Sequence, residues 1–299
     1  MTDMTGVGFE ANRRYLIRLA YRMLGSLSDA EDVVQDAWLR WHAAGPDSIV
    51  QPRAWLAQAV TRLCLDLMKS ARHRRESYVG GWLPEPLIEQ IGASEVNDDG
   101  LDVPYALMVA LERLSPLERA AFLLHDIFDR PFAEVAETLE RSEATCRQLV
   151  SRARRHVQED RARHKLQPDE ARRYATAFFE AAHSTDPTAL RQLLARDAIL
   201  HTDGGGKVTA TLNPIFGAEK IGRFFSGLAR KLRGAGKETR VFEPILIDGL
   251  PAYLSLEHGD TVQATALDIR DGRIVAVYVV RNPDKLGPAR ERLMRLAAG

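Results

Sequence analysis

The chain has two cysteines in 299 residues, Cys64 and Cys146, far apart and with no CxxC pair. That excludes a disulfide framework and a thiolate metal site, and it predicts a reducing, cytoplasmic setting. There is no net charge: 41 Lys and Arg balance 41 Asp and Glu, so any basic segment is offset elsewhere and the local distribution carries the information. No apolar run approaches the ~18 residues of a membrane span, which predicts no membrane partner. The opening MTDMTGVGFEANRR lacks the apolar centre of a signal peptide. Internal repeats, low-complexity tracts, cofactor motifs and metal-ligand spacings are all missing, so the expectation is no cofactor and no metal. The length fits about two domains, or three small ones.

What is present is concentrated in RPFAEVAETLERSEATCRQLVSRARRHVQ, residues 130–158. Phe132, Val135, Ala136 and Leu139 recur at helical spacing, and Ser142 is placed to cap a second helix. Arg147, Arg152, Arg154 and Arg155 then project from that helix. Residues 141–165 hold eight Lys or Arg against three acids in a chain of zero net charge. A helix-turn-helix with a basic second helix is the shape that enters a DNA major groove. The bland alternative is a helical hairpin with a solvated basic face.

Residues 9–78 read as helical, broken at Gly45-Pro46. In SLSDAEDVVQDAWLRW, residues 26–41, Ser28 and Glu31 fit a capping box. Ala30, Val33, Val34, Ala37, Trp38 and Trp41 form the expected buried stripe. Asp29, Asp32 and Asp36, with Gln35 beside them, lie on another face, either solvated or docked on a basic partner. Pro52 opens the next helix, and residues 60–75 carry five Lys or Arg and one acid. Those cations either complement the helix dipole or, with Trp55 stacking on unpaired bases, neutralise phosphates. Residues 79–103, rich in Gly, Pro and Asp, read as a linker, and 104–165 as helical again, opening at a capping box of Ser115 and Glu118 with Pro116 first in the helix.

From Gln167-Pro168 the pattern changes. Helices are expected near 169–183 and 187–195, with Asp186 as cap and Pro187 first, and near 218–232. Strands are expected at 197–202, 207–212, 239–247, 252–258, 261–270 and 273–281, with a two-residue hairpin at Asp271-Gly272. The predicted fold is multidomain: two all-α domains, the second with a helix-turn-helix, then an α+β domain of helices on a curved antiparallel sheet.

DAEDVVQDAWLRW (29–41), PRAWLAQAVTRLCLDLMKSAR (52–72) and LERLSPLERAAFLLHDIFDRPFAEVAETLERSEATCRQLVSRAR (111–154) resemble bacterial sigma factors of the extracytoplasmic-function group. The resemblance implies a transcription initiation factor with domain two over 1–78 and domain four over 104–165. It implies core RNA polymerase as partner, through its beta-prime clamp helices and beta flap, and promoter DNA. Asp29, Glu31, Asp32, Gln35 and Asp36 would face polymerase. Trp55, Arg62, Asp66, Lys69 and Arg72 would face the −10 element. Ser142, Thr145, Arg147, Gln148, Ser151 and Arg152 would face the −35 element. Two departures stand out: Glu140 occupies a turn position that often holds Gly, and Leu149 replaces an early basic residue.

Three short motifs resemble a subfamily with a SnoaL-like domain, a cone, fused behind the sigma domains, here over 168–287 with a tail at 288–299. They are Trp82-Leu83-Pro84-Glu85-Pro86, Asp203-Gly204-Gly205-Gly206-Lys207 and Asn282-Pro283-Asp284-Lys285-Leu286. The subfamily implies control in cis, through contacts among these residues, the linker and the sigma domains. Read from the residues alone, Trp82 either pins the linker to domain two or four or anchors the C-terminal domain. Asp203 to Lys207 form either a hairpin turn or a loop facing a pocket or the linker. Asn282 to Leu286 dock back or cap the sheet. SnoaL-like cones include enzymes, so a rival reading is a helix-turn-helix regulator with a ligand-sensing or enzymatic domain. His183, His201, Asp203 and His258 are its candidate acid/base groups, and a small molecule its possible cavity ligand. The expectation favours no enzyme.

Overall fold

The computed structural model describes residues 4–45, 49–76, 78–89, 91, 103–157, 166–236, 239, 241–257 and 261–298; for 4–7, 70–76, 241 and 298 it gives the backbone alone. The chain forms two compact units. One comprises Met1–Ser77 and Leu107–Arg161; the other comprises Tyr78–Ala106 and Ala162–Gly299.

The first unit is helical: α1 (Met4–Leu24), α2 (Leu27–Ala43), α3 (Pro52–Glu76), most of α4 (Tyr105–Leu111), α5 (Pro116–Phe122), a π turn (Leu123–Ile127), α6 (Phe132–Leu139) and α7 (Glu143–Val157). Gly25, at φ 70°, ends α1 and leaves Ser26 extended. The Ser26 hydroxyl therefore accepts from the Asp29 N–H at 3.3 Å and caps α2. This corrects the expected capping box, since Ser28 already lies inside the helix. Ala30, Val33, Val34, Ala37 and Trp41 are buried, and α2 packs on α1 and α3, where Leu16, Leu19, Met23, Leu56 and Val60 are buried as well. Trp38 departs from the expected stripe and is 41% exposed. Ser115 and Glu118 do form a capping box, with Pro116 at the first position. Arg119 is fully buried, donating to Met23 O at 2.8 Å and to Glu112 at 2.7 Å, which holds α5 to the end of α1.

The second unit is α+β. Its elements are β1 (Ile88–Glu89), α8 (Pro168–Ala182), α9 (Thr188–Leu193), β2 (Leu194–Asp203), β3 (Ile215–Phe216), α10 (Ala218–Gly234), β4 (Val241–Ile247), β5 (Leu250–Glu257), β6 (Thr261–Arg270), β7 (Arg273–Val280), a 3-10 turn (Pro283–Lys285) and α11 (Gly287–Ala298). The sheet order is β1-β4-β5-β6-β7-β2-β3. It is mixed rather than antiparallel, because β2 pairs with β7 in parallel. The linker, expected to lack structure, supplies β1, which pairs with the edge of β4.

Two Asp-Gly pairs turn hairpins with two consecutive positive φ angles: Asp271-Gly272 as expected, and Asp248-Gly249 between β4 and β5. The expected strand at 207–212 does not form, because side chains satisfy that backbone: Thr202 Oγ1 accepts from Thr211 N at 2.8 Å and Arg281 donates to Thr209 O at 2.6 Å. Asp186 accepts from Thr188 N at 2.9 Å, and α9 ends early where β2 begins. Phe178 of α8, Phe225 of α10 and Tyr253 of β5 fill the space between helices and sheet, with Phe178 ring centroids 5.7 and 6.4 Å from the other two.

Candidate nucleic-acid interface and linker site

Helices α6 and α7 form the expected helix-turn-helix. Glu140 sits in the left-handed region at φ 54°, ψ 49°, the conformation a glycine adopts freely in this turn. Arg141 N donates to Ala136 O at 3.0 Å and closes the turn. Ser142 Oγ accepts from Thr145 N at 3.2 Å and lies 2.9 Å from Thr145 Oγ1, so both hydroxyls serve the cap of α7. Gln148, Ser151, Arg152 and Arg155 are exposed along α7. Arg147 is held by Glu143 at 2.6 Å and lies 4.9 Å over the Phe132 ring, which stacks on His125 at 3.9 Å. Arg154 does not project freely as expected. It forks onto Asp126 at 2.7 and 2.9 Å, binding the π turn to α7.

On α2, Glu31, Asp32, Gln35 and Asp36 are exposed and Asp29 is half-buried. Trp38 and Leu39 are exposed on the same helix and add apolar area to that acidic ridge. On α3, Trp55 is half-buried and meets Trp41 edge-on, centroids 5.7 Å apart. Asp66 and Lys69 pair with each other at 2.9 Å in solvent. Arg62 turns to the C-terminal end of α6: Nε lies 3.4 Å from Thr138 O, and Nη2 lies 3.3 Å from Glu137 O and 3.1 Å from Glu140. A cleft of about 520 Å³ adjoins it, with Trp55, Gln58, Glu134, Glu137 and Thr138 in its wall. The side chain of Arg72 lies outside the described residues.

The linker motifs converge within the second unit. Asp203, at the end of β2, is fully buried and accepts four hydrogen bonds: Tyr78 Oη at 2.6 Å, Leu83 N at 3.0 Å, Gly205 N at 2.9 Å and Lys285 Nζ at 2.7 Å. Lys285 also donates to Leu83 O and lies 4.0 Å over the Trp82 ring. Asn282 donates from Nδ2 to Tyr78 Oη at 2.8 Å, and its Oδ1 accepts from Asp284 N at 3.1 Å. Burial, together with the hydrogen bond to Asp203, pushes the Tyr78 phenol up. Lys207 pairs with Asp284 in solvent at 2.6 Å.

Leu83, Pro84, Pro86 and Leu286 are buried, Glu85 is half-buried and Pro283 is exposed. A Cβ on Gly204 would stand 2.0 Å from Val208 O, and Gly205, at φ 62°, faces Asn282, so neither position accepts a side chain. The loop thus faces the linker.

Sequence reasoning missed Tyr78, Tyr105 and Asp248. Tyr105 Oη donates to Pro84 O at 2.6 Å; Leu87 and Asp248 exchange bonds at 3.1 and 3.4 Å. The Asp248-Gly249 dipeptide was a usable turn signal; nothing local marked the two tyrosines.

Of the acid/base candidates, Asp203 is committed to the linker and His201 stacks on Tyr278 at 5.5 Å. His258 lies outside the described residues. His183 joins a cluster that sequence reasoning did not assemble. Its Nε2 lies 3.1 Å from Thr239 Oγ1 and 3.8 Å from Glu257; Glu257 accepts from Thr239 at 3.0 Å and Ser255 at 2.7 Å. Burial alone would lower His183, but the nearby Glu257 carboxylate and the hydrogen bond to Phe179 O raise it. Burial alone would raise Glu257, but the nearby His183 and the hydrogen bonds from Ser255 and Thr239 lower it. The two side chains are partners and tie the end of α8 to the end of β5. Among the described residues there is no cluster of metal-ligating side chains, and no helix is long and apolar enough to cross a membrane.

Comparison with known proteins bears on both halves. Residues 9–74 match the family model for sigma-70 region 2, and residues 105–157 that for sigma-70 region 4. The chain is similar to the ECF RNA polymerase sigma factor SigJ of Mycobacterium tuberculosis, 41% identical over 95% of this chain and 94% of that protein. It is 33% identical to the probable ECF RNA polymerase sigma factor SigI of the same organism, over 97% of this chain and 98% of that one. The crystal structure of SigJ superimposes with a TM-score of 0.73 at 36% identity, covering 93% of this chain and 96% of the other.

Proposed function

We propose, from the premise that this chain belongs to the extracytoplasmic-function family of RNA polymerase sigma factors, a division of labour among its parts. The chain is a transcription initiation factor that directs RNA polymerase to promoters. Helix α7 reads −35 DNA. Its exposed Gln148, Ser151 and Arg152 reach base edges and phosphates, Arg147 is pre-positioned by Glu143 and Phe132, and Ser142 and Thr145 hold the helix N-terminus. The exposed acids of α2, with Trp38 and Leu39 beside them, bind the polymerase clamp helices: charge steers the encounter and the apolar residues supply the buried contact. The beta flap is the partner of the region 4 helices. Trp55, Arg62, Asp66, Lys69 and Arg72 of α3 engage the −10 element.

The C-terminal unit tunes this activity in cis. The observation that carries this reading is the fourfold use of Asp203. The linker is the covalent tether between regions 2 and 4, and a buried carboxylate builds it into the sheet domain. The domain thereby limits how far the tether can pay out when the two regions spread across a promoter. Its part is contact, with the Asp203 carboxylate committed to the linker. The test is transcription in vitro with purified core enzyme and full-length chains. Wild type is expected to direct promoter-specific initiation, and charge reversal at Asp32 and Asp36 to abolish core binding. Trp82→Ala and Lys285→Ala, which loosen the tether, are expected to change promoter output several-fold. Unchanged output from both would refute control through the linker.

A further inference from the structure

The face of α3 assigned to −10 DNA is met by α6 at Arg62, while Asp66 and Lys69 stand in solvent. Residues 132–140, FAEVAETLE, carry three glutamates and no lysine or arginine, and their C-terminal end meets that face. Arg62 lies within bonding reach of the last-turn carbonyls of Glu137 and Thr138 and of the Glu140 carboxylate. A helix C-terminus carries partial negative charge on its unpaired carbonyls, and here a carboxylate stands beside it. To a guanidinium this grouping resembles a phosphate: several oxygens, negative, presented from one side. Trp55, the aromatic assigned to stacking, and Gln58 line the adjoining cleft, whose other wall is α6.

We propose that α6 is an internal stand-in for promoter DNA, and that Arg62 is the residue for which α6 and the −10 strand compete. The inference rests on the assignment of α3 to −10 binding made above. The Nε and Nη2 edge of Arg62 is taken by α6 oxygens, so a DNA phosphate that binds this edge displaces them. The contact is suited to release. Side chains of Arg62 and Glu140 are 42% and 72% exposed, so water and salt weaken their attraction. Promoter engagement then separates the two regions at the moment region 2 captures its strand, and a free chain is held back from stray single strands.

The test uses the full-length chain and a labelled single strand carrying the −10 sequence of a promoter it transcribes, followed by fluorescence anisotropy. Arg62→Ala is expected to weaken binding at least fivefold. Glu140→Lys, which turns attraction into repulsion, is expected to tighten binding about threefold, the scale of an exposed pair. That gain is expected to vanish in the Arg62→Ala background, because both partners act through one contact. Glu140→Gly separates release from damage: it removes the carboxylate and relieves the positive φ, so binding and thermal stability are expected to rise together. Equal binding by wild type and Glu140→Lys, a Glu140→Lys gain that survives without Arg62, or undiminished binding by Arg62→Ala each overturns the proposal. Transcription with core enzyme is run beside it. Intact transcription with a flat cycle removes the competition alone, whereas absent transcription from every form removes the initiation-factor reading.

Discussion

Asp203 and Arg62 both join segments far apart in the chain, and they do so in opposite ways. Asp203 is shut off from water and collects a phenol, an ammonium and two backbone N–H groups. Arg62 touches two carbonyls and a carboxylate at 3.1–3.4 Å in a contact partly open to solvent. In a dry site each partner depends on the others, because any one left alone is a desolvated polar group without compensation. In a wet site water replaces whatever leaves. The first contact is therefore a weld between linker and sheet, and the second a joint that a better ligand can open.

The comparison makes graded demands. The largest effect is expected at the weld. Asp203→Ala leaves Lys285 buried without its carboxylate and strands two N–H groups, a loss of about 3–5 kcal/mol in chemical denaturation of the second unit. A loss below about 1 kcal/mol would show that water reaches the site and that the contrast fails. Next, Gly204→Ala places a methyl against Val208 O and is expected to cost about 1–3 kcal/mol, with the loop and its linker contacts disturbed together.

Acidity sharpens the contrast from another direction. The contribution of His183 is complete below its ordinary pKa of 6.5 and drains away as the pH climbs through its raised folded value. That of Glu257 is complete above its ordinary 4.5 and is lost as the pH falls through its lowered folded value. The tie is fully expressed between those limits. Thermal melts are expected to show a decline on the alkaline side that His183→Gln flattens; an unchanged alkaline limb would mean that Glu257 does not hold the imidazolium. The smallest effect belongs to Lys207. Its pair with Asp284 is more than half exposed on both sides, so Lys207→Ala is expected to shift stability by under about 0.5 kcal/mol, although it belongs to the same motif as Asp203.

These contrasts explain what was legible beforehand. Ser115, Ser142 and Asp271-Gly272 act on backbone groups two or three residues away, and each does in the structure what its spacing implied. Ser28 failed for an equally local reason: Gly25 ended the previous helix and handed the cap to Ser26. Trp38 failed because a helical stripe has an edge, and the neighbours that decide which residues at that edge are covered lie outside the helix. The motif Asp203 to Lys207 was visible as a unit, but its partners were not: Tyr78 is 125 positions away and Lys285 is 82. No periodicity encodes such a distance. Arg62 read as a cation for DNA, and nothing in its helix announced that α6 would reach it first.

The amino-acid order alone determined the helices of the first half, their caps, the glutamate-bearing turn of the helix-turn-helix and the Asp-Gly hairpins, because all of these are settled by hydrogen bonds and torsions within a few residues. Only the tertiary structure decided that the linker would become an edge strand of the sheet, that β2 would run parallel to β7, that Asp203 would be dry and Arg62 wet. Those outcomes depend on which surfaces exclude water from each other, and desolvation is a property of the assembled chain.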